Sequence, residues 1–150
     1  MRPAILLCCL LILLPPPASA APKGAAACAR IAEVAGAVRL APAFLARVLW
    51  ERGEMTAGLA IPATAGQLAG LQERFGNPGL AALALSGGAA LVERYLAGEG
   101  IVPAHVDFVI LTTGETPEYW RNNPQEWPEF RLAPEADFAT ACHELIAGRR

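Results

Sequence analysis

Basic clusters are missing from this sequence, and so are the ligand sets of a metal site. Its 12 Lys and Arg residues are outnumbered by 14 Asp and Glu residues, which gives a net charge of −2. No basic stripe with interleaved aromatic residues occurs, and this argues against nucleic acid as a partner. The two histidines, His105 and His143, lack companions at the spacing of zinc ligands. We therefore expect neither a metal nor another cofactor.

Long hydrophobic runs are also scarce, because the one pronounced apolar run covers only residues 4–14. That run is too short to cross a bilayer. It follows the basic Arg2, precedes three prolines, and leads to Ala18 and Ala20 at the −3 and −1 positions of a small-residue cleavage site. This order is typical of a secretory signal peptide, so we expect removal of residues 1–20 and a periplasmic or secreted protein. A retained anchor is the alternative, although we expect no stable one.

Cysteine is rare beyond that leader, where only Cys28 and Cys142 remain. In an exported chain, a single pair near opposite ends is most simply explained by one disulfide. Closing a loop of about 115 residues would restrict the unfolded chain by about 4–5 kcal/mol. Two unpaired buried thiols are the alternative.

The residues that are abundant favour helices. Residues 21–150 are rich in alanine and poor in β-branched side chains, and their number suits one domain with a modest core. Apolar spacing predicts helices over 28–38, 43–52, 63–75, 79–85, 89–97, 103–111 and 135–147, with a helical turn over 115–122. A strand is the alternative over 103–111, and we predict loops over 21–26 and 58–63. The prediction is an all-α bundle of six to seven short helices without a substantial sheet.

Three stretches resemble, in the right order, the motifs of a known family. They read F-L-A-R-V-L-W-E-R-G at 44–53, R-F-G-N-P-G-L-A-A-L-A-L-S-G-G within 65–98, and V-P-A-H-V-D-F-V at 102–109. They resemble the soluble-lytic-transglycosylase-type (SLT) domain, which has a lysozyme-like fold. The resemblance covers residues 28–120 and leaves a C-terminal loop and helix over 121–150.

The resemblance implies an activity on peptidoglycan glycan strands. Such enzymes cleave the β-1,4 bond between N-acetylmuramic acid and N-acetylglucosamine and leave a 1,6-anhydro sugar. Since the 6-hydroxyl of the sugar attacks, one Glu can serve as both acid and base, whereas hydrolases typically need a second carboxylate. Glu51 occupies that position, and Glu54 is its competitor. Without the resemblance, Glu51 would be read as a solvated carboxylate at a helix end.

The turn formed by Leu85, Ser86, Gly87 and Gly88 matches the family segment that presents Tyr and Asn to the glycan. It is our candidate substrate-binding segment. Taken alone, the Gly-Gly pair marks only a helix break.

The sequence departs from the family pattern around the expected cleft. Arg52 replaces the Ser that follows the catalytic Glu, while Leu85 and Ser86 replace the Tyr and the Asn. About twenty residues are missing after Glu51, so residues 58–65 are either a motif remnant or the start of the next helix. A catalytic Glu depends on groups that hold it and the sugar in register, so these losses predict an impaired active site.

Three functions therefore compete. The first is an exported, lytic-transglycosylase-like protein with Glu51 as its acid and base. The second is a catalytically impaired module that binds glycan or another cell-envelope protein. The third is an unrelated helical secreted domain. Four aromatic residues of the C-terminal region could stack on sugars or mark an interface, but we favour a role in covering the core; they are Tyr119, Trp120, Trp127 and Phe130.

Overall fold

A computed structural model describes residues 23–148, and every regular element in that range is an α-helix. The helices are α1 (Lys23–Ala37), α2 (Pro42–Glu51), α3 (Ala60–Phe75), α4 (Pro78–Gly87), α5 (Ala89–Leu96), α6 (Pro103–Thr113), α7 (Pro117–Asn122) and α8 (Phe138–Ile146). The all-α prediction is confirmed. Eight helices are described rather than six or seven, because the turn predicted over 115–122 forms a helix of its own. The predicted signal peptide lies outside the described residues, and no described helix is long and apolar enough to span a membrane.

Helix α4 occupies the centre of the bundle, in contact with α3, α5, α6 and α7. Its residues from Pro78 to Leu85 are all buried, as expected for a helix that is apolar on every side. The Asn77 side chain caps it, accepting from the backbone N–H of Leu80 at 2.9 Å and donating to the carbonyl of Trp120 at 3.1 Å. Gly79 lies so close to Trp120 that a Cβ there would fall 1.9 Å from the indole ring. The sequence N-P-G is thus explained by the helix start and its packing.

The aromatic residues of the C-terminal region mostly cover the core, as predicted. Trp120 is fully buried, and Phe130 stacks between it and Phe44 at centroid distances of 6.5 and 5.1 Å. Tyr119 meets Trp120 edge-on at 5.5 Å. Trp127 differs from the others, because 56% of its surface is exposed.

The predicted disulfide is confirmed and ties the two ends of the domain together. Cys28 on α1 and Cys142 on α8 are bonded, with their Cα atoms 5.9 Å apart and both residues buried. Helix α8 also packs against α2. The bridge therefore fixes α8 beside the helix that carries Glu51.

The loops predicted over 21–26 and 58–63 are wrong over part of their length. Residues 58 and 59 do form a turn before α3, and residues 21 and 22 lie outside the described residues. Residues 23–26 belong to α1, because alanine favours helix and Gly24 fits closely against His143 and Ile146 of α8. Residues 60–63 belong to α3, since Pro62 lies in the first turn, where a missing N–H costs nothing.

Two further predictions concern α6 and the start of α8. Residues 103–113 form a helix rather than a strand, in agreement with the primary prediction. Helix α8 begins at Phe138 rather than at 135, because the carboxylate of Asp137 accepts from the backbone N–H of Thr140 at 3.0 Å and caps the helix there.

Candidate functional site

The end of α2 brings Trp50 and Glu51 to the surface. The helix buries six residues on its way: Ala43, Phe44, Leu45, Ala46, Val48 and Leu49. Trp50 is then 36% exposed, and Glu51 is exposed. The chain reverses at Gly53, which has a φ of +67°, and the N–H of Glu54 returns to the carbonyl of Leu49 at 2.7 Å. The last turn of α2 is therefore held firmly while its two final side chains face outward.

A cleft of about 450 Å³ lies beside this helix end. Its walls come from α2, α6, α8 and the segment before α8: Arg47, Trp50, Glu51, Leu111, Leu132, Ala133, Ala141, Glu144 and Leu145. The cleft combines an aromatic ring, two carboxylates and a guanidinium with apolar side chains. The disulfide joins α8, which supplies one wall of the cleft, to α1.

These groups suit a polyhydroxylated ring. An indole packs well against the C–H face of a sugar, and carboxylates accept hydrogen bonds from hydroxyl groups. Arg47 also donates to the carbonyl of Arg131 and so anchors the far wall of the cleft. A lining of apolar side chains with a few polar groups is the usual composition of a ligand site.

Catalysis is supported less well by this geometry. A carboxylic acid that protonates a glycosidic oxygen is ordinarily enclosed by apolar side chains, which keep it protonated. Glu51 lies beside the cleft but is exposed to solvent. Its setting therefore resembles that of a hydrogen-bond acceptor on a binding surface more than that of an enclosed acid.

Glu54, the competitor of Glu51, is engaged within the protein. Its carboxylate accepts from the hydroxyl of Thr64 at 2.8 Å and pairs with the guanidinium of Arg52 at 2.9 Å. The hydrogen bond from Arg52 is the main reason why the pKa of Glu54 lies below its ordinary value, with partial burial opposing it. These contacts stabilise the connection between α2 and α3. Because its pKa is lowered, the carboxyl group of Glu54 is a poor proton donor.

The turn at residues 85–88 is also engaged within the protein. Leu85 is buried, and the hydroxyl of Ser86 hydrogen-bonds Nδ1 of His105 at 2.7 Å. A Cβ on Gly87 would fall 2.1 Å from Cδ2 of Leu91. Gly88 has a φ of +86°, which favours glycine. Each residue of the turn thus has a structural reason to be there.

The structure does not join the two predicted halves of the site. None of residues 85–88 lines the cleft beside Glu51. Sequence reasoning missed Glu144 and Arg47 as cleft residues, and it missed His105 as the partner of Ser86. Only the spacing of Arg47, four residues before Glu51 on one helix face, carried a usable signal in the sequence.

Comparison with known proteins does not add a relative. No protein-family model, no curated protein and no solved structure matches the chain. Within residues 23–148, no group of three or more His, Cys, Asp or Glu side chains could hold a metal ion.

Proposed function

We propose that this protein is an exported, peptidoglycan-directed module that binds glycan strands in the cleft beside Glu51 without cleaving them at an appreciable rate. The proposal combines the resemblance to the SLT domain with one structural observation. That observation is the meeting of Trp50, Glu51 and Glu144 in a single cleft. An aromatic ring flanked by hydrogen-bond acceptors suits a chain of pyranose rings.

The absence of cleavage follows from the surroundings of Glu51. Its side chain is exposed, Arg52 takes the place of the family's Ser, and the turn at 85–88 supplies no Tyr or Asn to position a sugar. Positioning groups contribute much of the rate of such an enzyme, so their loss leaves binding as the retained property.

A lytic transglycosylase of reduced activity is the second candidate. The observation in its favour is that Glu51 does border a cleft, as the acid and base of such an enzyme must. Its product would be a 1,6-anhydro sugar. Another cell-envelope protein, rather than glycan, is a further candidate occupant of the same cleft.

Co-sedimentation and digestion assays with purified sacculi distinguish these functions. The protein should co-sediment with sacculi and release no anhydro-muropeptides on prolonged incubation. Trp50→Ala should reduce co-sedimentation, because it removes the aromatic surface of the cleft. Leu59→Ala is a matched control, since Leu59 is 91% exposed and lines none of the clefts described here.

Glu51→Gln decides between binding and catalysis. Release of anhydro-muropeptides that disappears in this variant would establish the second candidate. Failure of the wild-type protein to sediment with sacculi would remove glycan as the ligand and leave an envelope protein as the partner to seek.

A further inference from the structure

A second cleft, of about 520 Å³, lies between the end of α1, the middle of α3 and the segment before α8. It shares no residue with the cleft beside Glu51. Four of its side chains can contact a ligand through charge, hydrogen bonds or stacking: Arg39, Gln72, Glu73 and Trp127. Ala69 and Gly70 also line it, and the space next to the Cα of Gly70 is open.

Trp127 is the most exposed tryptophan in the described part of the chain. Its exposed fraction is 56%, compared with 36% for Trp50 and none for Trp120. Within residues 23–148 it makes no hydrogen bond and no ring contact, in contrast to the stacked rings of Trp120 and Phe130. Tryptophan is enriched at recognition surfaces because it combines a large apolar ring with an N–H donor, and Trp127 presents both at the edge of a cleft.

Arg39 has an unusual backbone, and its guanidinium has no hydrogen-bond or ion-pair partner within residues 23–148. It ends α1 with a φ of +58°, the left-handed conformation that glycine or asparagine ordinarily adopts at this position. The conformation costs an ordinary L-residue about 1–2 kcal/mol. Arg39 is the one such non-glycine residue in the described range.

The other arginines of residues 23–148 all engage the protein through an ion pair, a hydrogen bond or a cation–π contact. They are Arg30, Arg47, Arg52, Arg74, Arg94, Arg121 and Arg131. The positive φ of Arg39 belongs to the C-terminal cap of α1, in which the N–H of Leu40 returns to the carbonyl of Ala35 at 2.9 Å. The cap holds the backbone of Arg39 at the edge of the cleft and leaves its guanidinium available to a ligand.

We propose that this second cleft is a saccharide site for a pyranose ring that carries a carboxylate substituent. Trp127 stacks on the ring, and the planar guanidinium of Arg39 binds the carboxylate through two parallel hydrogen bonds. Gln72 and Glu73 bind the hydroxyl or amide groups of the sugar. Because Glu73 offsets the charge of Arg39, a single carboxylate on an otherwise uncharged ring fits better than a polyanion.

This site stands apart from the proposed function of the first cleft. Its helical residues come from α1 and α3, which do not line the first cleft, and its ligand class follows from its own side chains. Variants at Trp50 and at Trp127 therefore test the two clefts separately.

Isothermal titration of the purified protein with three monosaccharides tests the proposal. N-acetylmuramic acid and glucuronic acid carry a carboxylate on different frameworks, while N-acetylglucosamine carries none. We expect the carboxylated sugars to bind roughly tenfold more tightly than N-acetylglucosamine, as one charge-assisted bidentate contact would provide. A difference between the two carboxylated sugars would identify which framework the cleft prefers.

Variants at Trp127 and Arg39, with one control elsewhere on the surface, assign the binding to the cleft. Trp127→Ala should weaken it roughly tenfold by removing the stacking surface, whereas Leu59→Ala, at a 91% exposed side chain that lines neither cleft, should leave it unchanged. Arg39→Gln should abolish the preference for a carboxylate. Arg39→Gly should abolish it as well while melting at or above the wild-type temperature, because glycine relieves the backbone, so a loss of binding cannot be ascribed to unfolding.

Three results would overturn the proposal. One is the absence of saturable binding by any of the three sugars. Another is equal binding of N-acetylglucosamine and the carboxylated sugars. The third is binding that Trp127→Ala leaves intact.

Discussion

The motifs placed candidate site residues in two segments, the end of α2 and the turn at residues 85–88. The side chains of these two segments differ in their exposure. At the end of α2, Trp50 and Glu51 face a cleft. At the turn, Leu85 is buried and Ser86 is bound to His105. A motif in the sequence thus does not by itself locate a ligand surface, because the exposure of its side chains decides where a ligand can bind. On this comparison, the proposed ligand surface lies at α2 and α8, while the side chains of the turn are engaged within the protein.

The largest expected effect concerns the bond that places α8 beside α2. Replacing both Cys28 and Cys142 with Ala should lower the free energy of unfolding by about 4–5 kcal/mol, because the bridge joins residues 114 positions apart. Denaturant unfolding of the two forms measures the difference. Binding to sacculi should fall as well, since Ala141, Glu144 and Leu145 of α8 form one wall of the cleft.

Treating the wild-type protein with reductant provides the control, because it opens the bridge without changing any residue. A loss of less than about 1 kcal/mol in both experiments would show that packing alone places α8.

Gly87→Ala tests the structural role of the turn. The added methyl would overlap Leu91 and press on the His105 ring, which lies 3.1 Å from the Cβ position. Overpacking of this kind should cost about 1–3 kcal/mol in thermal or denaturant unfolding.

Gly66→Ala is the matched control for that variant. Gly66 lies in the middle of α3, and nothing lies within 4 Å of its Cβ position. The control should stabilise the protein by about 0.5–1 kcal/mol, since alanine favours helix. If Gly87→Ala were as mild as Gly66→Ala, the turn would be open and the comparison with α2 would fail.

The hydrogen bond between Ser86 and His105 offers a smaller and more specific test. Ser86→Ala should cost about 1 kcal/mol of stability and leave sacculus binding unchanged. A double-mutant cycle with His105→Ala should return a coupling free energy of about 0.5–1.5 kcal/mol. If Ser86→Ala weakened sacculus binding as much as Trp50→Ala, the turn would belong to the ligand surface after all.

Much of the fold could be predicted from apolar spacing and cysteine count. The disulfide between Cys28 and Cys142 was predicted from the two cysteines that remain after the predicted signal peptide. The predictions failed at residues 23–26 and 60–63, where no apolar period exists. There, the helix is extended by alanine propensity, by contact with α8, and by a proline that a first turn accepts.

The candidate site was less predictable, because its residues meet only through tertiary packing. Glu51 was singled out by the resemblance of residues 44–53 to a family motif, because its place at a helix end alone indicates only a solvated carboxylate. Glu144 reaches the same cleft from 93 positions later, and only the docking of α8 brings it there. The partnership of His105 with Ser86 depends in the same way on the packing of α4 against α6.

Glu54 provides the smallest and most selective test. It lies three residues after the end of α2, but its carboxylate is bonded within the protein, as the hydroxyl of Ser86 in the turn is. Its pKa lies below the ordinary 4.5, mainly because Arg52 donates a hydrogen bond to it. A lowered pKa in the folded state stabilises the protein above the unfolded pKa, and the contribution is lost as the pH falls through the folded pKa.

At pH 7, Glu54→Gln should therefore cost about 1 kcal/mol, and the cost should shrink steadily below about pH 4.5, as denaturant unfolding across the pH range would show. Thr64→Val keeps the shape of the side chain but removes the hydroxyl donor, so it should reproduce part of the cost. A cost that stays constant with pH would mean that the carboxylate gains nothing from its charge in the folded state. Glu54 would then have to be grouped with Glu51 as a side chain available to a ligand.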